Sequence, residues 1–334
     1  MRVTINSTSR QYLNSLNRNL SNLNKVHSKL ASGREFDRVS EDTVSAVKAM
    51  QVRKKLAKLD MYESNLKTAD SILSTTESCV MTVSSICQSA LESAVAGTNG
   101  TASESDQAII ADQLRTYAKE IVQTLNTSYA GRTLFGGTVN DPDNPPFRIE
   151  TNETTGEWTV TFNGQDVNAA TAREDFPGME GIFVDIGLGL EFGTDGSVNS
   201  QTALNISVTG PDTTGFGVDE DGDPKNLIAM ILTLADHLEA GDDAAADKTA
   251  SKINDAHATV LLALSDLGNT TNYIDQMTSR ITEDRYSLLE RQKDLEASDT
   301  ATESINYSVA QTAYNATLQI ASEVIPLSIF DFIR

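Results

Sequence analysis

Three histidines, His27, His237 and His257, and two cysteines, Cys79 and Cys87, are the whole supply of imidazole and thiol in 334 residues. A zinc site needs such ligands grouped at short spacing, and a metalloprotease needs H-E-x-x-H on one helix face. No histidine here opens that motif, and none sits at metal spacing from a cysteine. The two cysteines are eight residues apart. On one helix that separates them by about 12 Å along the axis. A disulfide needs Cα atoms within about 7 Å, so both are expected to be small core residues. His27 falls on a leucine seam and reads as a core or interface residue rather than a ligand.

Other chemistry is as thinly supported. Neither G-x-S-x-G nor a phosphate-binding P-loop occurs. Gly187-Leu188-Gly189, followed by Gly193, lies inside an alternating run and reads as a bulge or bend. Asp219-Glu220-Asp221-Gly222-Asp223 has calcium-attracting chemistry. A calcium loop starting at Asp219 would need glycine at 224 and glutamate at 230, where Pro224 and Met230 stand. The expectation is therefore no catalytic residue, no cofactor and no metal.

The formal net charge is -21, which argues against nucleic acid and anionic membranes as partners. From Gly136 to Pro224 seventeen acidic residues face two arginines, Arg148 and Arg173. That segment is expected to be a separately solvated domain. Met1 to Asn24 is polar and lacks the apolar stretch of a cleavable signal peptide. No run of 18 apolar residues is present, so no transmembrane helix is expected.

The elements themselves carry a stronger signal. Leu13, Leu16, Leu20, Leu23 and Leu30 repeat with heptad spacing, with His27 on the missing rung and Gly33 as terminator. Ser40, followed by Glu41 and Asp42, reads as the cap of a second helix. Leu59, Leu66, Leu73, Val80 and Cys87 repeat every seven residues, with Tyr62, Ala69, Thr76, Val83 and Ala90 three further on. A third helix starts at Ser103 and closes at Gly131.

The period then changes to two. Trp158, Val160 and Phe162 alternate before Asn163-Gly164; Ile182 to Phe192 alternates throughout; Leu204, Ile206 and Val208 follow. Helix returns after Asp223-Pro224, read as a cap and first-turn proline. Leu267, Ile274, Ile281, Leu288, Leu295, Thr302, Val309 and Ala316 then repeat every seven residues, predicting one helix of about 75 Å that Gly268 can kink. The fold class expected is mainly α with an inserted β domain. Both chain ends form a long antiparallel helical rod or coiled coil around a central antiparallel β domain. The expected parts are 1–40 with 305–334 as terminal coiled coil, 41–135 with 224–304 as helical rod, and 136–223 as acidic β domain.

The last residues are apolar on every side, including Ile320, Val324, Leu327, Phe330 and Phe332. A lone pair of arms buries too little to offset its ordering entropy. The arms are therefore expected to be unfolded in the monomer and to order on polymerisation. The expected assembly seam is Leu13, Leu16, Leu20, Leu23, Leu30, Leu295, Val309, Ala316, Ile320, Val324, Leu327, Phe330 and Phe332.

Several stretches resemble a known family. Leu30-Ala-Ser-Gly-Arg-Glu, then Ser40-Glu-Asp-Thr, is similar to the L-S-S-G-K/R…S-D-D-P stretch of flagellins and hook-associated proteins. Asn126 to Thr138, with Gly131, Arg132, Leu134, Phe135, Gly136 and Gly137, resembles the N-x-x-x-x-G-R-x-L-F-G-G-T run of hook-associated protein 3. The tail Ala313-Tyr-Asn-Ala and Ser328-Ile-Phe-Asp-Phe-Ile resembles that family's ending. Ala31, Glu41 and Thr43 depart from the usual Ser, Asp and Pro.

The resemblance implies a structural, non-enzymatic protein of the bacterial flagellum, secreted without a cleaved signal. It implies a junction zone between hook-associated protein 1 and the flagellin filament, built by the chain ends. The implied partners are copies of itself, the first junction protein, flagellin and an export chaperone. Flagellin itself is the alternative in the same class. An extracellular adhesin or enzyme carried on the β insert is the alternative from another class.

Overall fold

The computed structural model describes residues 5–99, 102–141, 143–151, 158–194, 196–199 and 201–324, with backbone only at 5–9 and 321–324. It is mainly helical with a small central β region, as the periodicities predict. Contacts divide the chain into two units: residues 1–59 with 282–334, and residues 60–281.

In the first unit, helix α1 (Ile5–Ser32) runs antiparallel to helix α7 (Thr300–Val324). Gly33 ends α1 in the left-handed region at φ 68°, and its N–H donates to the Lys29 carbonyl at 2.8 Å. Helix α2 (Thr43–Thr98) begins in this unit. Its cap is Asp42 rather than Ser40: the Asp42 carboxylate accepts from the N–H groups of Val44 at 3.1 Å and Ser45 at 3.0 Å. A carboxylate satisfies two free amide donors of the first turn, which moves the start past Ser40.

Helix α6 (Asp243–Glu296) ends here, and α7 follows after a break at Ala297–Asp299. The single helix expected across 267–316 is thus two helices. Two backbone hydrogen bonds fasten the break to the segment after α1. The Glu35 N–H donates to the Glu296 carbonyl at 2.8 Å, and the Ser298 N–H donates to the Gly33 carbonyl at 3.0 Å. Between them Arg34 and Ala297 form an antiparallel bridge. Arg53 donates to the Glu296 carboxylate at 2.7 Å. Helix α6 continues through Gly268 without interruption.

In the second unit, the α2 heptad is buried as expected at Leu66, Ala69, Leu73, Thr76, Val80, Val83, Cys87 and Ala90. On α6 the matching stripe is Ala246, Ile253, Val260, Leu267 and Ile274. One stretch of α2 is long and apolar enough to cross a membrane, contrary to the expectation from the sequence. Along this helix Leu66, Leu73, Val80 and Val83 are buried, whereas Met61, Met81 and Val95 are exposed. Helix α3 (Glu104–Leu125) opens with a capping box between Ser103 and Asp106. It packs directly on helix α5 (Leu227–Glu239), which follows a short helix α4 (Gly210–Thr214) in the chain. Helix α5 is apolar on nearly every side and is buried along most of its length. Gly97 lets it approach α2, since a Cβ there would meet Leu238 at 3.0 Å.

The cap of α5 is Asn226, not Asp223. Its side-chain oxygen accepts from the N–H groups of Ile228 and Ala229, and its amide donates to Thr214 and to the Gly215 carbonyl. Pro224 instead pairs with Val218 in an isolated bridge.

The β region lies in this second unit. Strands β1 (Ser128–Tyr129) and β2 (Arg132–Thr133) form a hairpin. Strands β3 (Phe147–Thr151), β4 (Trp158–Phe162) and β5 (Gln165–Asp166) form an antiparallel meander, with Phe147 opposite Phe162. The β4–β5 turn is Asn163-Gly164, both at positive φ, as that dipeptide predicts. Strands β6 (Phe183–Val184) and β7 (Leu204–Asn205) pair briefly. The long strand expected over 182–192 is thus two residues long. Gly187 and Gly189 adopt φ of 88° and 84°, a conformation that ends a ladder whatever the alternation of its apolar neighbours.

Candidate assembly interface

The contact between α1 and α7 uses one face of each helix. On α1 it consists of Tyr12, Leu16, Asn19, Leu23, Val26 and Leu30; on α7 of Glu303, Tyr307, Ala310, Tyr314 and Thr317. Both sets step by three and four, the spacing of a helix–helix seam. The seam is unusually polar. Asn19 donates to the Thr317 hydroxyl at 2.6 Å, and Glu303 is buried. The His27 and Tyr307 rings lie 6.0 Å apart. Val26, not His27, fills the rung that the leucine spacing leaves open: Val26 is buried and His27 exposed.

The predicted seam residues therefore divide. Leu16, Leu23 and Leu30 join the contact, and Leu295 is half-buried at the end of α6. Leu13 is 51% exposed, Val309 63% and Ile320 51%; Leu20 and Ala316 are exposed as well. The Val324 side chain and Leu327, Phe330 and Phe332 lie outside the described residues, as does the expected packing of the apolar tail. Sequence reading missed Tyr307, Ala310 and Tyr314 because it carried the heptad through Ala297–Asp299. The signal was present in Ser298-Asp299-Thr300, a helix-start pattern.

More apolar surface accompanies these residues. Val39, Val44, Val47 and Met50 are exposed near the start of α2, and Ile305 is 66% exposed on α7. About half of the large apolar residues exposed among the described residues fall in the first unit, about a third of the chain. Scattered single residues of this kind are ordinary; a concentration marks an interaction surface. Charge is segregated too. From Arg10 to Lys29, α1 carries Arg10, Arg18, Lys25 and Lys29 and no acid, whereas α7 carries Glu303 and Glu323 and no base.

The residues with reactive chemistry are occupied structurally. Ser84 Oγ and His257 Nε2 lie 2.8 Å apart, buried between α2 and α6. Cys87 is a buried free thiol, and burial pushes its pKa up to about 12; Cys79 is free and half-buried. Such a thiol is inert rather than nucleophilic. The carboxylates of Asp219, Asp221 and Asp223 converge within 4.8 Å of one another. Lysine ammonium groups hold them: Lys252 pairs with Asp219 and, at 2.5 Å, with Asp223, while Lys248 reaches Asp221 at 3.0 Å. The hydrogen bond from Lys252 pulls the Asp219 carboxyl down to about 2.

The glycine-rich run after α3 is a packing knot. Gly131 sits at φ 79° in the β1–β2 turn, and Arg132 donates to the Gly137 carbonyl at 3.4 Å. Leu134 is half-buried and Phe135 fully buried. The Phe135 carbonyl accepts from Gly210, the Gly178 carbonyl accepts from Thr138, and Gly136 bridges Thr209. A Cβ on Gly137 would collide with the Gly178 carbonyl oxygen. The run thus draws two distant segments, at Gly178 and at Thr209–Gly210, to the end of α3, which requires glycine for close backbone approach.

Residues 3–140 match the family described as the bacterial flagellin N-terminal helical region. That match covers 138 of the 334 residues. Polar flagellin C of Vibrio parahaemolyticus is 24% identical over 262 residues, covering 78% of this chain and 62% of that flagellin. The chain therefore spans less than two thirds of that relative's length. In structure it is similar to a flagellar hook-associated protein of Vibrio parahaemolyticus, at a TM-score of 0.59 and 20% identity, covering 77% of this chain and 100% of the other. It is similar also to FlgL of Xanthomonas campestris, at a TM-score of 0.51 and 15% identity, covering 72% of this chain and 99% of the other. These two likenesses show a fold in common with those proteins.

Proposed function

We propose that this chain is a structural subunit of the bacterial flagellum, placed in the junction between the hook and the flagellin filament. The observation that carries the reading is the outward apolar face of the α1–α7 pair, with Leu13, Leu20, Ile305, Val309 and Ile320 open to solvent. Such a face is covered when subunits polymerise. The Leu134-Phe135-Gly136-Gly137 run and the Phe-Asp-Phe tail favour the hook-associated branch over flagellin. Residues 1–40 and 305–334 are the assembly segments on this reading, 41–135 and 224–304 the helical rod, and 136–223 the acidic β-rich part. The partners are copies of this chain, the first junction protein and flagellin, with an export chaperone before secretion. The role is mechanical rather than enzymatic.

The polar seam makes the α1–α7 pair marginal in a free subunit, so the arms open readily until neighbours cover them. Amide exchange on dilute protein tests this part: strong protection over residues 10–30 and 303–320 would refute it.

Immuno-labelling of intact flagella tests the placement. A single band at the hook–filament boundary is expected. Label along the whole filament would make the chain a flagellin and overturn the junction reading. A deletion strain should keep its hooks and release flagellin into the medium.

A further inference from the structure

The buried stripe of α7 is one residue out of phase with the heptad that precedes it. Leu288 and Leu295 set a rhythm that continues at Thr302, Val309 and Ala316. The residues turned toward α1 are instead Glu303, Ala310 and Thr317. The shift arises at Ala297–Asp299. The bridge from Arg34 to Ala297 and the bond from Ser298 to Gly33 fix the chain on one side. On the other side Asp299 restarts the helix: its carboxylate accepts from the Ala301 N–H at 3.0 Å and from the Thr302 hydroxyl at 2.8 Å.

The consequence is a choice of faces. Ile305, Val309, Ala316 and Ile320 form one narrow stripe, about 130° round the helix from the α1 contact at about 100° per residue. A free helix pair would bury its most apolar faces. This one covers Val26 and Ala310 but also buries a glutamate and half-buries an asparagine–threonine pair, and it leaves the apolar stripe in solvent. The outer leucines of α1, Leu13 and Leu20, are exposed beside basic residues, while α7 carries acid and no base.

We propose that this α7 stripe is the surface covered by α1 of a second copy of the chain, and that the break at Ala297–Asp299 sets the register that keeps it outward. The proposal rests on the assembly reading above and names the face and the device behind it. A contact between unlike faces of identical subunits propagates into rings or helical arrays instead of stopping at a dimer.

An alanine inserted between Ala301 and Thr302 tests it, in full-length protein with Cys79→Ser and Cys87→Ala. The insertion turns everything after it by one residue, placing Val309 and Ala316 where Ala310 and Thr317 were. In the parent, Asn19→Cys should cross-link with Thr317→Cys at least tenfold faster than with Ala316→Cys. In the insertion variant that preference should reverse, and self-association by sedimentation should weaken at least tenfold. An unreversed preference overturns the register claim. A reversed preference with undiminished self-association overturns the claim for the stripe. A second variant, Ile305→Asn with Val309→Asn, leaves the register alone. It should melt like the parent and self-associate at least tenfold more weakly; unchanged association would overturn the stripe independently. A parent that fails to associate at all defeats the assembly reading itself, whereas the cross-link preference still reports the register.

Discussion

Asn19 and Thr317 meet at 2.6 Å in the middle of the α1–α7 seam, where two apolar side chains would hold the helices more firmly. The Thr317 hydroxyl also donates to the Ala313 carbonyl at 2.7 Å, so it is satisfied without Asn19. The pair therefore specifies alignment more than it stabilises. Asn19→Ala should destabilise the first unit by about 0.5–1.5 kcal/mol, the range for one hydrogen bond. Asn19→Leu with Thr317→Val should be neutral or stabilising, since both polar partners leave together. Urea unfolding followed by helical circular dichroism measures both; equal losses in the two variants would contradict this account.

The glycine run makes a sharper demand. Gly137 sits at φ 67° with the Gly178 carbonyl against the position of its missing Cβ. Gly33 sits at φ 68° with open space there. Gly33→Ala should therefore cost only the left-handed backbone penalty, about 1–2 kcal/mol. Gly137→Ala adds a backbone collision and should cost distinctly more, above about 2 kcal/mol, or prevent folding. Similar melting temperatures for the two variants would show that the knot after α3 is looser than its geometry.

These two glycines also show what was legible in the sequence. Gly33 could be placed as a terminator because the leucines before it stop there. The α2 heptad could be read because Leu66, Leu73 and Val80 repeat inside one unbroken helix. The purpose of Gly137 was not readable, because the carbonyl it accommodates lies 41 residues away at Gly178. The α7 face was misread for a local reason: three non-helical residues reset the phase, and counting by sevens does not register a restart. The alternating run at 182–192 failed differently. Period two describes which side chains share a face, yet Gly187 and Gly189 take backbone angles that no strand has.

The ion-pair cluster of the β region carries a pH signature. Lys252 holds the Asp219 carboxyl at about 2, below its ordinary 3.8. A carboxyl depressed on folding contributes stability that is complete above the unfolded value and disappears as pH falls toward the folded one. Lys252 is shifted upward by the same contacts, so its contribution holds below its ordinary 10.5 and is lost only at higher pH. Melting temperature should fall between about pH 4 and pH 2. Asp219→Asn should flatten that limb. Calcium should leave the melting temperature unchanged at neutral pH, since ammonium groups already hold the three carboxylates. An acid limb identical in parent and Asp219→Asn would remove the cluster from the account.

The two thiols should report local opening. Burial raises Cys87 to about 12, whereas Cys79 is half-buried. Iodoacetamide at pH 8 should label Cys79 in the native chain and reach Cys87 only on unfolding, read by mass spectrometry of the peptides. Rapid native labelling of Cys87 would mean that α2 opens at this point.

The Ser84–His257 pair is a buried polar link between α2 and α6. Ser84→Ala keeps the packing and leaves the imidazole without that partner, which should cost about 1–3 kcal/mol. Ser84→Ala combined with His257→Leu removes the polar demand altogether and should recover part of the loss. The pair also gives a test against hidden catalysis. A serine–histidine couple that hydrolysed esters would lose activity in Ser84→Ala, whereas a structural couple changes only the unfolding midpoint. Turnover of a nitrophenyl ester by the parent and not by Ser84→Ala would assign chemistry to a seam whose position between two packed helices argues for cohesion alone.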